Sequence, residues 1–552
     1  MNGPVAGVDV AVARAERVAR WMEMLSLEEK CAQLLVARPI GDAFDRRDAA
    51  AEIGVGGYIV HPGMTDEPDR MAAWIEDAQA HAAARTGIPL LVCADHEGGH
   101  VRVLRGRATE LPPNMGLGAT GDPASAREAA AILGAELRAV GVNWVLAPVV
   151  DVNSDPANPV IGVRSYGDDP ATVGAFAKEA IAGFQGEGVL ACAKHFPGHG
   201  DTDRDSHLTI PTIRHGRARL DRVELPPFRE AIAAGVATVM SAHLAVPALD
   251  PLDISTLSRA TLSGLLRGEL GFAGVIVTDA MEMHGVADLT GVGDAAVRAV
   301  AAGADLVLAH RDPDLLRETH AALVAAVRSG RLSAARLDAA AGRALAAKAR
   351  VADVRPDRAR LSEVGSPAHR ARANALARGS ITIVRDDEAA LPLARGLGSG
   401  LLVIGAPRTT ATMTGRSIAS ASSLGEEIAR LAPGARELGV TFPPSDAERR
   451  AIVDAARAAA VVVATTMNAS SDPAQVALLE AIRESSGARL VVVATRSPYD
   501  LLVLPWVRTF VCAYTSVGSV PRAVAEVLFG ERRATGRLPV AVPGLYPRGH
   551  RA

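Results

Sequence analysis

Eight short apolar runs, each of strand length and separated by longer Ala/Arg/Glu-rich stretches of helical period, constrain this chain more than any other feature. They are Leu34 to Ala37, Gly57 to Val60, Leu90 to Ala94, Trp144 to Val150, Leu190 to Ala193, Thr238 to Met240, Val275 to Thr278 and Leu306 to Ala309. Such alternation predicts β/α units built on a parallel sheet, and eight units before residue 350 predict a (β/α)8 TIM-like barrel over 1–350 rather than an open sheet. The chain has 552 residues, more than one hydrophobic core usually serves, so a second domain is expected. Residues 351–372 are rich in Arg, Pro and Ser without a strand run and read as a linker. Residues 373–552 then resume the alternation, with strands expected at Ile381 to Val384, Leu401 to Ile404, Val461 to Thr465, Leu490 to Thr495 and Phe510 to Tyr514. That pattern is an α/β sandwich. Gly405 follows one of these strands, but no GxGxxG accompanies it, which argues against a dinucleotide site.

Charge narrows the partners. With 59 basic and 62 acidic residues the formal charge is −3, giving no electrostatic footprint for nucleic acid or an anionic membrane. Neither a secretory h-region nor an apolar run long enough to span a bilayer is visible, so a cytoplasmic protein with a small substrate is expected. Cys31, Cys93, Cys192 and Cys512 are far apart and mostly within apolar runs, as small buried residues rather than zinc or redox pairs would be.

Polar residues follow the barrel strands at equivalent places: His61, Asp95, Asp151, Lys194 with His195, His243, Asp279 and His310. In a barrel these positions converge on one mouth. The densest segment is the Pro- and Gly-containing loop Lys194-His195-Phe196-Pro197-Gly198-His199-Gly200-Asp201-Thr202-Asp203-Arg204-Asp205-Ser206-His207. Two chemistries fit it. Its His and Asp residues could ligate a metal, although the spacing matches no standard ligand motif. Alternatively Asp205 and His207, two apart in an extended stretch and so on the same side, form a carboxylate–imidazole acid/base pair. Lys194 and His195, emerging from the strand itself, suit the holding of substrate hydroxyls. Asp279 closes the Gly-bounded strand Gly271 to Thr278, a rigid platform for a nucleophilic carboxylate, or else it caps the following helix.

Taken together, these segments resemble glycoside hydrolase family 3, in its β-N-acetylhexosaminidase branch. The matching pieces include Leu25-Ser26-Leu27-Glu28-Glu29-Lys30, Asp95-His96-Glu97-Gly98-Gly99, Asn158 to Gly167, the Lys194 to His207 loop, Leu257-Ser258, the Gly271 to Met281 segment and, near the end, Gly536-Arg537-Leu538-Pro539. The KHFPGHGDTxxDSH loop is the most specific of them. The resemblance implies Asp279 as nucleophile, His207 as acid/base assisted by Asp205, and Asp95, Arg164, Lys194 and His195 as residues holding the sugar. It further implies a β-linked N-acetylglucosamine substrate on a small glycoside or glycan fragment, often from peptidoglycan, and neither a metal nor an organic cofactor. One departure stands out. The family's EGGRVxR segment reads here Glu97-Gly98-Gly99-His100-Val101-Arg102-Val103, so His100 and Val103 stand where two arginines are expected. Val103 cannot donate a hydrogen bond to the sugar, which leaves Arg102 or Arg105 as replacements and opens the identity of the sugar. Four other activities stay compatible with these residues: an N-acetylglucosaminide phosphorylase, a β-glucosidase or β-xylosidase, a hydrolase unmasking a small metabolite that bears N-acetylglucosamine, and a sugar-binding protein without turnover.

Overall fold

The computed structural model describes residues 5–62, 64–202, 204, 209–283, 286, 291–309, 312–405, 409–411, 417–419 and 423–552. The eight apolar runs form strands β1 (Leu35–Ala37), β2 (Gly57–Val60), β3 (Leu91–Ala94), β4 (Trp144–Val145), β5 (Cys192–Phe196), β6 (Thr238–Ser241), β7 (Val275–Thr278) and β8 (Val307–Leu308). They pair in parallel as β4-β3-β2-β1-β8 and β5-β6-β7. Parallel bridges from Trp144 to Leu190 and from Val277 to Leu306 join the two sheets, so the eight strands close into a barrel.

Burial on both faces explains why these strands are almost wholly apolar. Side chains alternate along them. Val36, Leu91, Cys93, Trp144, Cys192, Met240, Val275 and Val277 pack in one cluster, while their neighbours Leu35, Ala37, Val92, Ala94, Ala193, Val239 and Ile276 pack in another. Trp144 brings its indole N–H into the first cluster, where it is met by Thr238 Oγ1 at 2.9 Å. The connecting helices carry ordinary start and stop signals. The helix Pro68–Thr86 opens on a proline and ends at Gly87, which takes the left-handed conformation at φ 68°.

The second sheet is built from β9 (Thr382–Asp386), β10 (Leu401–Gly405), β13 (Arg436–Gly439), β14 (Val461–Thr466), β15 (Arg489–Ala494) and β16 (Thr509–Cys512). β11 (Thr409–Ala411) and β12 (Ser417–Ala419) form a separate antiparallel ribbon. The order is β13-β10-β14-β15-β16-β9, with β9 antiparallel to its neighbour. Both faces are covered: Val462, Val492 and Phe510 lie in one cluster, and Val461, Val463, Val491, Val493 and Val511 in another. β13 escaped the sequence reading because Arg436-Glu437-Leu438-Gly439 is a largely exposed edge strand with no apolar run.

The two domains share packing. Met115, Ala119 and Val163, from loops and short helices above the barrel, belong to the same apolar cluster as Tyr514, Leu538 and Val540 of the second domain. Arg548 and the amide of Ala541 both donate to Asp168, each at 2.7 Å. This contact places the second domain beside the C-terminal ends of the barrel strands. No helix among the described residues is long and apolar enough to cross a membrane.

Candidate active site

Strand ends deliver the charged groups. Asp95 follows β3, Asp279 follows β7, and Lys194 and His195 lie within β5, which begins and ends later than the sequence reading placed it. The structure brings Asp95, Arg164, Lys194 and His195 into one network, centred on a residue the sequence reading gave no role, Glu97. Lys194 Nζ donates to Asp95 Oδ1 and to Glu97 Oε1, each at 2.7 Å. Arg164 grips Glu97 with two parallel bonds, Nε to Oε2 at 2.9 Å and NH2 to Oε1 at 2.8 Å. This bidentate geometry is the strongest an ion pair offers. Burial works against the charge on Glu97, but Arg164 and Lys194 outweigh it and hold its pKa far below the usual carboxylate range. Burial likewise disfavours the Lys194 cation, and Asp95 and Glu97 together more than compensate, raising its pKa.

A second buried carboxylate sets His195. Asp151, fully buried, receives the amides of His195 at 3.2 Å and His199 at 2.7 Å, and lies 2.7 Å from His195 Nδ1. On the other edge of the ring, Arg164 NH2 approaches His195 Nε2 at 3.3 Å. A guanidinium can only donate, so Nε2 is the accepting nitrogen and the proton sits on Nδ1, facing Asp151. The ring thus links the two carboxylate centres and is fixed in one tautomer.

The same segment roots the Lys194 to His207 loop. Asn158 donates to His199 O at 2.8 Å and to Thr202 Oγ1 at 3.2 Å. Asp201 accepts from His215 Nε2 at 2.8 Å, Arg219 at 3.1 Å and Ser154 at 3.2 Å. Gly200 presses so close to the backbone of Val152 that a Cβ there would fall 1.6 Å from Val152 O, so no other residue fits that turn. Burial and the neighbouring His195 push the pKa of His199 down to about 4, which leaves it a neutral structural ring bonded to Thr202 at 2.9 Å. The loop's Asp205 and His207 lie outside the described residues, as does His310.

Asp279 is half-buried. Its amide donates to Ser241 O at 3.1 Å and its Oδ1 accepts from the adjacent Ala280 amide at 2.7 Å. His243, at the end of β6, steadies this turn: Nε2 donates to Ala280 O at 3.1 Å while Nδ1 meets Thr256 Oγ1 at 2.8 Å. Among the described residues no group of three His, Cys, Asp or Glu side chains is placed to hold a metal ion.

The segment where arginines were expected has turned inward. Val103 is 1% exposed in the core, with its amide donating to His96 Nδ1 at 3.0 Å. Arg102 is buried in an ion pair with Glu110, and Arg105 lies 3.8 Å from Asp66. His100 instead reaches across to the second domain, its Nε2 lying 3.1 Å from Thr515 Oγ1. Burial, with Arg496 and Arg102 nearby, pushes the pKa of His100 down to about 3. Arg496, just past β15, is a further residue the sequence reading missed, although it obeys the same rule of polar residues following strand ends.

Known proteins match nearly the whole chain. Residues 26–347 match the glycosyl hydrolase family 3 N terminal domain, and residues 381–546 match that family's C-terminal domain. A β-N-acetylglucosaminidase/β-glucosidase from Cellulomonas fimi is 32% identical over 484 residues, 82% of this chain and 84% of that protein. The solved structure of a family 3 β-N-acetylglucosaminidase from Paenibacillus superposes with a TM-score of 0.89 at 39% identity, covering 94% of this chain and 99% of the other. A solved β-glucoside phosphorylase superposes at 0.81 with 26% identity, covering 96% and 97%. With both domain signatures present in order and a closed barrel carrying the charged network at its mouth, the chain belongs to glycosyl hydrolase family 3.

Proposed function

We propose that the protein is a retaining β-N-acetylglucosaminidase that releases N-acetylglucosamine from small glycosides or glycan fragments. The observation that carries this reading is the pairing of a strand-end carboxylate, Asp279, with the KHFPGHGDTxxDSH loop rooted on β5 of the same barrel. The names of the Cellulomonas and Paenibacillus relatives support the sugar. Lys194, Arg164 and Asp95 hold the sugar's hydroxyls, with Glu97 fixing the two cations and Asp151 fixing His195. Asp279 attacks the anomeric carbon as the bond to the leaving oxygen breaks, and that oxygen takes a proton from His207, which Asp205 orients. His207 then removes a proton from water, the water oxygen attacks the same carbon, and Asp279 departs with configuration retained. Lys194 keeps its positive charge throughout, so its part is electrostatic and not proton transfer.

The test is turnover of aryl β-N-acetylglucosaminide against aryl β-glucoside, with proton NMR of the first-formed product. The reading expects faster cleavage of the N-acetylglucosaminide and initial appearance of the β-anomer; faster glucoside cleavage or an initial α-anomer overturns it. A second reading is phosphorolysis, favoured by the phosphorylase relative and by the absence of charge repulsion between a neutral His207 and incoming phosphate. Phosphate-accelerated turnover yielding the sugar 1-phosphate supports that reading, and a rate indifferent to phosphate dismisses it.

A further inference from the structure

Arg496 belongs to the second domain, yet its surroundings belong to the barrel mouth. The residue before it, Thr495, is locked to Thr466 O by its amide at 2.8 Å and its hydroxyl at 2.7 Å. Three residues later Tyr499 Oη accepts from Asn153 of the barrel at 3.1 Å, and Thr515 of the adjoining strand-end loop meets His100. Arg496 is therefore held between two contacts that land on the barrel segments carrying Glu97 and Asp151. The charged groups acting on it are Arg164, the cation that grips Glu97, and Asp500 of its own domain.

Arg496 carries an unmet donor. Its Nε is buried with no hydrogen-bond partner among the described residues, as is the Nε of Arg102. Arg164 and Lys194, by contrast, are taken up by Glu97 and Asp95, and Arg102 by Glu110. A guanidinium carries five N–H donors, and leaving a buried one unbonded costs free energy unless something else supplies an acceptor. At positions 100 and 103 the barrel offers no guanidinium, since His100 is neutral and Val103 is core. A second arginine at 100 would stand against Arg496, whereas the neutral His100 tolerates it.

We propose that Arg496 is a specificity-determining residue of the glycosidase site, donating from the second domain to oxygen atoms on the outer edge of the bound sugar ring. It supplies the hydrogen bonds that the 100–103 segment of the barrel does not. The proposal rests on the glycosidase reading above and adds that the site is shared between domains.

The experiment compares wild type, R496A and R496K in the full-length protein, using aryl β-N-acetylglucosaminide and its 3-, 4- and 6-deoxy analogues. The expected result is a fall in kcat/KM of about 10- to 100-fold for R496A, as for loss of a charged hydrogen bond, with R496K between. At least one deoxy analogue is expected to be disfavoured by wild type and no longer disfavoured by R496A. A merely structural role would lower activity on every analogue alike. Unchanged kcat/KM in R496A, or the same discrimination among analogues as wild type, overturns the proposal while leaving the hydrolase reading intact. If wild type instead prefers the aryl β-glucoside, the sugar assignment falls, and the same comparison on the deoxyglucosides decides Arg496 independently.

Discussion

Replacing Glu97 by glutamine keeps the shape of the side chain and removes only its charge, which isolates the network on which the sugar-holding cations depend. Glu97 and Lys194 have side chains 3% and 2% exposed, and Arg164 is 15% exposed. These pairs fall in the buried regime, where losing one partner costs about 3 to 5 kcal/mol, not the 0 to 1 kcal/mol of surface pairs. Lys194 retains Asp95, so the lower end applies and E97Q is expected to lose about 3 kcal/mol at pH 7. The acid side gives an independent check. The folded pKa of Glu97 is depressed, so its contribution is present above the unfolded pKa of about 4.3 and is lost as pH falls toward the folded value. The gap between wild type and E97Q should therefore be full above about pH 5 and close by about 1.4 kcal/mol for each unit below 4.3. Urea denaturation followed by tryptophan fluorescence measures both, Trp144 being fully buried inside the barrel. Equal stabilities at pH 7, or a gap that does not narrow in acid, would mean that the charge on Glu97 does not stabilise the fold.

Three further outcomes are expected. His207→Ala should lower kcat about 10² to 10⁴-fold on glycosides with poor leaving groups, and much less on activated aryl glycosides that need no proton; an equal loss on both removes it as the acid. His243→Ala, which frees the carbonyl of Ala280 beside Asp279, should lower kcat about tenfold while KM stays within twofold, because the sugar-holding network is separate. The four cysteines are all buried and free. Burial pushes Cys31 and Cys192 up to about 12 and holds Cys93 and Cys512 well above the ordinary thiol value, so Ellman's reagent should find no reactive thiol in the native protein and four in denaturant.

The sequence reading reached the fold because burial on both faces of parallel strands leaves uninterrupted apolar runs, and Gly57–Val60 and Val275–Thr278 formed at the limits read from the sequence. It failed at β13, whose exposed charges leave no such run. In the candidate site, the positions of Asp95 and Asp279 after their strands were legible, while Lys194 lies within β5. Glu97 was passed over because its importance comes from two cations 67 and 97 residues away in sequence, a relation that no local pattern carries. Arg496 was missed for a related reason: domain packing, and not sequence proximity, brings it to the barrel mouth. The Val103 side chain has no donor to offer a sugar, and its inward turn is a property of the folded segment, in which its amide donates to His96.

In the proposed mechanism Asp279 forms the covalent bond to the sugar. Incubating the enzyme with a 5-fluoro N-acetylglucosaminyl fluoride, which slows release of the intermediate, and mapping the digest by mass spectrometry tests it most directly. One added sugar is expected on the peptide containing Asp279, and none on the D279A protein. An adduct on another carboxylate, or an equal adduct on D279A, would contradict it.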